Sequence, residues 1–303
     1  MKLSKLICFL IVLLLVFGNI IVGQKKYNES PMTAALVKQG KLPPVEQRLP
    51  KNPIVVKPFE EIGVYGGTLR RAWLGPGDRW GIAKICYDAN NLMRWASDSK
   101  TILPWLVEKY TVSKDGRIFT FKLREGLKWS DGHPMTVDDV IFWYEDVIGN
   151  EELTPTFPAG FVQDGVRAKF VKVDDYTFRI EFKNPNPMFI YTFPTPGWYI
   201  ANSKGSFAFY APKHYLMQFH PKYTDPKKLE EIAKKAGFKF WYEYFWEKAR
   251  HGWGGLCEMP TLSPYILKEK SQTQIILERN PYYWKIDTEG KQLPYLDRII
   301  VKV

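Results

Sequence analysis

Between residues 105 and 149 the spacing of the hydrophobic positions changes once, and the change marks out three elements. Over 118–124, Phe119, Phe121 and Leu123 alternate with Thr120, Lys122 and Arg124, the two-residue period of a strand with one buried face. A second apolar segment, 106–112, precedes it, and Lys114-Asp115-Gly116 between them tolerates positive φ, so the pair is predicted to form a hairpin. From 136 the period lengthens. Val140, Ile141, Tyr144, Val147 and Ile148 recur at helical spacing, with Thr136 placed to cap the helix and Asp139 to complete a capping box. Gly149 is expected to stop it in a left-handed conformation.

The same reading extends along the chain. Residues 168–173 and 176–182 flank the Asp174-Asp175 turn, and Phe178, Ile180 and Phe182 fall on one face of the second strand. With the hairpin and capped helix they give a self-contained α/β unit over 95–187. Residues 226–236 read as an amphipathic helix whose apolar face is Leu229, Ile232, Ala233 and Ala236. Strands are predicted over 68–74, 274–278 and 298–303. Residues 24–58 carry Pro31, Pro43, Pro44, Pro50, Pro53 and Pro58 without sustained periodicity and are predicted to wrap the surface as an extended arm. No internal repeat is present, which argues against a solenoid.

At 303 residues and 45% hydrophobic composition, the chain can bury a large core. Its formal charge of +11 raises the question of nucleic acid, but the basic residues are mixed with 32 acids and form no stripe. Lys227, Lys228, Lys234 and Lys235 are placed on a solvated face, and no nucleic-acid partner is expected. Lys2 and Lys5 precede an apolar run over 6–22 and a small Gly23, the layout of a secretory signal peptide; an uncleaved membrane anchor over the same run is the rival. Export leaves Cys86 and Cys257, either two small buried thiols or one disulfide, and not a disulfide framework. Cys8 follows Lys5-Leu6-Ile7, a poor lipoprotein sequence.

Ser113-Lys114-Asp115-Gly116, Phe119-Thr120-Phe121-Lys122-Leu123-Arg124, Gly126-Leu127-Lys128-Trp129-Ser130-Asp131-Gly132-His133-Pro134 and Thr136-Val137-Asp138-Asp139-Val140 together resemble the signature of the family 5 extracellular solute-binding proteins. These are the oligopeptide- and dipeptide-binding components of bacterial ABC importers. Glu278-Arg279-Asn280-Pro281-Tyr282-Tyr283-Trp284, followed by Leu296-Asp297-Arg298-Ile299, resembles a later family signature. Where the family has Gly-Thr-Gly-Pro-Tyr, this chain has Thr261-Leu262-Ser263-Pro264-Tyr265. The resemblance implies an α/β, periplasmic-binding-protein type II-like fold with a discontinuous first domain, an inserted α/β second domain and a third domain missing. The corresponding boundaries are a signal peptide at 1–23, the arm at 24–58, the first domain at 59–94 and 188–290, the insertion at 95–187, and the start of a crossover at 291–303. It also implies an oligopeptide ligand, with oligosaccharide as the alternative, an ABC permease in the inner membrane as partner, and a periplasmic or extracellular location. A family protein is about twice this length, so the chain reads as an amino-terminal portion.

The remaining candidates for chemistry are thin. Gly75-Pro76-Gly77 follows a strand, but its spacing does not fit a dinucleotide loop and Pro76 lacks an amide that a phosphate would need. His133, His214, His220 and His251 are scattered with no metal-ligand spacing, so neither metal nor cofactor is expected. Adjacent acids such as Asp138-Asp139, Glu151-Glu152 and Glu230-Glu231 point about 100° apart on a helix, which suits capping and solvation better than acid/base work. A secreted carbohydrate-active enzyme is the rival from another class. Aromatic residues, 16% of the chain, are what remain. Trp73, Leu74 and Trp80, flanking the loop after the first strand, and Trp198 with Tyr199 are the candidate ligand-binding residues, since flat rings stack on sugars or pack on peptide side chains at little entropic cost.

Overall fold

The computed structural model describes residues 27–74, 78, 91–192, 209–249 and 259–302. The helices are α1 Pro31–Lys38, α2 Val45–Arg48, α3 Val137–Phe142, α4 Lys213–Leu216, α5 Pro226–Lys235 and α6 Trp241–Lys248. The strands are β1 Ile54–Val56, β2 Thr68–Ala72, β3 Met93–Trp95, β4 Ile102–Pro104, β5 Val107–Val112, β6 Ile118–Leu123, β7 Val162–Gln163, β8 Val166–Arg167, β9 Lys169–Lys172, β10 Thr177–Glu181, β11 Tyr265–Lys270, β12 Gln274–Arg279, β13 Lys285–Asp287 and β14 Arg298–Lys302.

Two four-stranded sheets organise the chain. The first, in the order β5-β6-β10-β9, is antiparallel throughout. Phe119, Phe121, Leu123, Phe178 and Ile180 are all fully buried on its inner face, as their alternation predicts. Against that face lies α3, capped as expected: Thr136 Oγ1 accepts from Asp138 N at 3.3 Å, and Asp139 Oδ2 accepts from Thr136 N at 2.9 Å. The core built there also takes in Phe209, Tyr210, α6 through Trp241, Phe245 and Trp246, and the later pair Tyr283 and Trp284. The amphipathic helix appears as α5, with Leu229 and Ala233 buried but Ala236 exposed.

The second sheet, in the order β11-β12-β14-β2, joins an early strand to the last one, because β2 pairs parallel with β14 from Thr68↔Arg298 to Ala72↔Lys302. Its own small core comprises Trp73, Tyr265, Leu267, Ile275, Leu277, Ile299 and Val301.

Two expectations are corrected. Gly149 is not left-handed: its φ is −77°, and the residues before it, Trp143–Ile148, form a wider π-helical turn. That turn releases carbonyls, which are taken up from outside: His220 Nε2 donates to Asp146 O at 3.0 Å, and Thr154 Oγ1 to Val147 O at 3.0 Å. A Cβ at Gly149 would run into Glu145 O and stand 3.0 Å from Tyr144 O, so glycine is needed there for close approach. The proline-rich arm, moreover, is not simply extended. Pro31 occupies the first turn of α1 behind Ser30, whose hydroxyl accepts from Thr33 N at 3.2 Å, and β1 pairs parallel with β13.

Candidate functional site

The two signature strings meet through the 261–264 segment, which bonds to both. Ser130 N donates to Thr261 O and Thr261 N to Ser130 Oγ, both at 3.0 Å. Asn280 closes the junction from the second string, with Nδ2 on Ser263 O at 2.9 Å and its backbone N on Pro264 O at 2.8 Å, while Trp284 Nε1 reaches Leu262 O at 3.3 Å. Gly132 is pressed so close to Tyr282 that a Cβ would lie 2.8 Å from the phenol oxygen. Hydrogen-bonding capacity used in this way is not left for a solute, so these motifs carry the fold.

Buried cations hold the rest of this region. Arg48, fully buried, donates to Glu29 and Pro281 O, and to Gln292 Oε1 at 2.8 Å, which ties the arm to the second string. Arg279, 4% exposed, donates to Pro294 O and, at 2.9 Å, to Tyr295 O. Burial lowers the pKa of both guanidinium groups, opposed chiefly by Glu29 at Arg48 and by Asp297 at Arg279. Lys285 lies 3.7 Å over the Trp105 ring and 4.9 Å over Trp284. Sequence reasoning did not single out these three. Arg279 sits within a signature and could have been found there; Arg48 and Lys285 carry no local signal, since only folding brings their partners together.

The candidate binding residues occupy different situations. Trp73 is 8% exposed, packed into the core of the second sheet with its backbone N bonded to Lys302 O at 2.8 Å. Leu74, the next residue, is fully exposed, and its N donates to Asp78 Oδ2 at 2.6 Å. Trp80, Trp198 and Tyr199 lie outside the described residues, as do Cys86, Cys257 and His251. Trp241 and Trp246, by contrast, are core residues of α6.

The titratable groups are engaged structurally. Asp139 is buried and accepts from Thr136 N, Lys213 N and Trp129 Nε1, yet burial outweighs these donors and pushes its carboxyl up to about 6. Its neighbour Asp138 pairs with Lys172 at 2.9 Å, and Glu152 accepts from Trp241 Nε1 at 3.2 Å. His133 and His214 stack with ring centroids 3.9 Å apart, and His214 Nε2 meets Asp131 Oδ2 at 2.8 Å. Among the described residues, no group of three His, Cys, Asp or Glu side chains could hold a metal ion, and no helix is long and apolar enough to cross a membrane.

Comparison with known proteins places this arrangement. The family model for bacterial extracellular solute-binding proteins, family 5 Middle, matches residues 101–303. The chain belongs to that family. Within family 5 it is 32% identical to the periplasmic alpha-galactoside-binding protein of Rhizobium meliloti (strain 1021), over 92% of this chain and 39% of that protein. Among solved structures it superposes on an oligopeptide-binding protein OppA with a TM-score of 0.80 at 40% identity, covering 95% of this chain and 43% of the other. It also superposes on the periplasmic binding protein MelB of Agrobacterium fabrum C58, solved with stachyose, with a TM-score of 0.70 at 30% identity, covering 92% and 41%. The α/β fold is thus that of the type II periplasmic binding proteins of family 5, and the chain spans about two fifths of the length of these relatives.

Proposed function

We propose that this chain belongs to the substrate-binding component of an ABC importer, which captures an oligopeptide outside the cytoplasm and delivers it to an inner-membrane permease. What carries the reading is the agreement in fold and sequence with an oligopeptide-binding protein over 95% of the chain. The solute would meet the segment that leaves β2, with Leu74 presented to it, Trp73 fixing the segment from below, and Trp80, Trp198 and Tyr199 supplying aromatic surface. Capture works by hinged closure of lobes around the ligand. In this reading the second sheet, from whose strand β2 Leu74 emerges, faces the solute, and 1–23 directs export.

No catalysis is assigned. Hydrolysis of a glycosidic bond needs two opposed carboxylates, and Asp138, Asp139 and Glu152 are each committed to a structural partner. A second reading, an oligosaccharide as solute, is favoured by the alpha-galactoside-binding and stachyose-bound relatives, each of which matches 92% of the chain. Calorimetric titration with trialanine and with stachyose decides between them. Saturable heat with the peptide alone supports the first reading, and with stachyose alone the second; saturation by neither, or turnover of either, overturns both. Amino-terminal sequencing of the exported protein tests the signal, with a start at Gln24 expected.

A further inference from the structure

We infer that Arg279 is a positioning residue for the ligand-facing segment: it shapes the 294–297 turn into a template that fixes where β2 begins and so where Leu74 is presented. The inference rests on the proposed function only for the role of Leu74. The guanidinium of Arg279 lies beneath the Tyr65 ring, 5.1 Å from its centroid, and gathers the carbonyls of Pro294 and Tyr295. Its backbone N takes a third carbonyl of the same turn, Asp297 O, at 2.9 Å. The lead-in to β2 docks on this turn. Gly66 N donates to Tyr295 O at 3.0 Å, so Gly66 and Arg279 share one acceptor, and Asp297 N donates to Gly67 O at 3.2 Å.

Gly66 and Gly67 adopt φ of +111° and +84°, a path open to glycine, and Thr68 then enters register opposite Arg298. From there β2 runs along β14 to Trp73 N on Lys302 O, and the following residue is Leu74. Since side chains alternate along a strand, a slip of one residue would carry Trp73 out of its core and turn the exit segment over. Asp297 Oδ1 stands 3.2 Å from Arg279 Nε, off line for a hydrogen bond, so this contact is an ion pair that biases the guanidinium without fixing its angle. The two backbone carbonyls set the angle. Both carbonyls accept from one nitrogen, Nη2, while Nε faces Asp297; a lysine would retain the charge but has a single nitrogen where arginine holds two in one rigid plane.

The test is hydrogen exchange on the whole chain, comparing Arg279→Lys and Asp297→Asn with the wild type, with trialanine and stachyose titrated into each. Exchange about tenfold faster at residues 66–73, with the β5–β6 hairpin unchanged, is expected for Arg279→Lys, with a smaller change at the same amides for Asp297→Asn. Whichever probe the wild type binds should bind Arg279→Lys more weakly. Unchanged exchange at 66–73, or an equal rise throughout the chain, overturns the inference. If Arg279→Lys does not fold, Asp297→Asn decides by the same criterion. Failure of the wild type to bind either probe would count against the proposed function alone, because the exchange pattern is read without ligand.

Discussion

Arg48 shows how much one side chain can carry. It links the arm to the second signature and neutralises Glu29, whose side chain is 7% exposed. Arg48→Met should therefore destabilise by about 3–5 kcal/mol, because it leaves a buried carboxylate without its partner. Restoring much of that loss in the double variant with Glu29→Gln, read by chemical denaturation, would confirm the cause; no rescue would refute it. Gly149 makes the converse case, a residue whose lack of a side chain matters. Gly149→Ala should cost about 1–3 kcal/mol by overpacking against Glu145 O, visible as a lower thermal midpoint. An unchanged midpoint would mean that the π-helical turn relaxes freely. Trp73 and Leu74 should separate cleanly: truncating Trp73 to Ala removes a core ring and costs about 3–5 kcal/mol, whereas Leu74→Ala should leave stability intact and weaken solute binding.

At the level of elements, the capped helix and the hairpin were legible because every determinant is local. Alternation over 118–124, the turn at 114–116 and the Thr136/Asp139 pair each act within a few residues, and the structure forms them where expected. The π-helical turn was not legible, since the partners of its released carbonyls, His220 and Thr154, are distant in sequence or outside any periodic pattern. The arm departs from expectation for a different reason: its prolines favour extension, while Ser30-Pro31 is also a good helix start. The candidate site was the least legible part, because the aromatic residues of core and surface look alike in a sequence. Trp73 and Trp241 are buried, and exposure of the kind seen at Leu74 depends on where β2 ends.

Asp139 gives α3 a pH dependence of unusual sign. Its folded-state value of about 6 lies above the ordinary 3.8, so the folded chain binds more protons across that window, and this group makes stability fall as pH rises through it. Asp115 does the opposite. Held at about 2 by Ser113 and then Arg117, it contributes stability above its ordinary value that is lost as pH falls toward 2. Denaturation midpoints of Asp139→Asn from pH 4 to 7 should lose the first slope, and the variant should be less stable by about 1–3 kcal/mol at pH 7, because an amide presents N–H to donors that need an acceptor. A slope equal to that of wild type would sink this assignment.

For the whole molecule, the pairing of β2 with β14 has a consequence for how the chain is made. A polypeptide growing from its amino end can pair the hairpin strands and wind α3 as soon as those residues emerge, while their shared interior is completed by Phe209, α6 and Trp284. Thr68 must wait for Arg298. Contacts between such remote positions form slowly, so the strand that leads to Leu74 stays without its neighbour until residues 298–302 have emerged. The hairpin and α3 can therefore stand long before the exit from β2 is fixed in place.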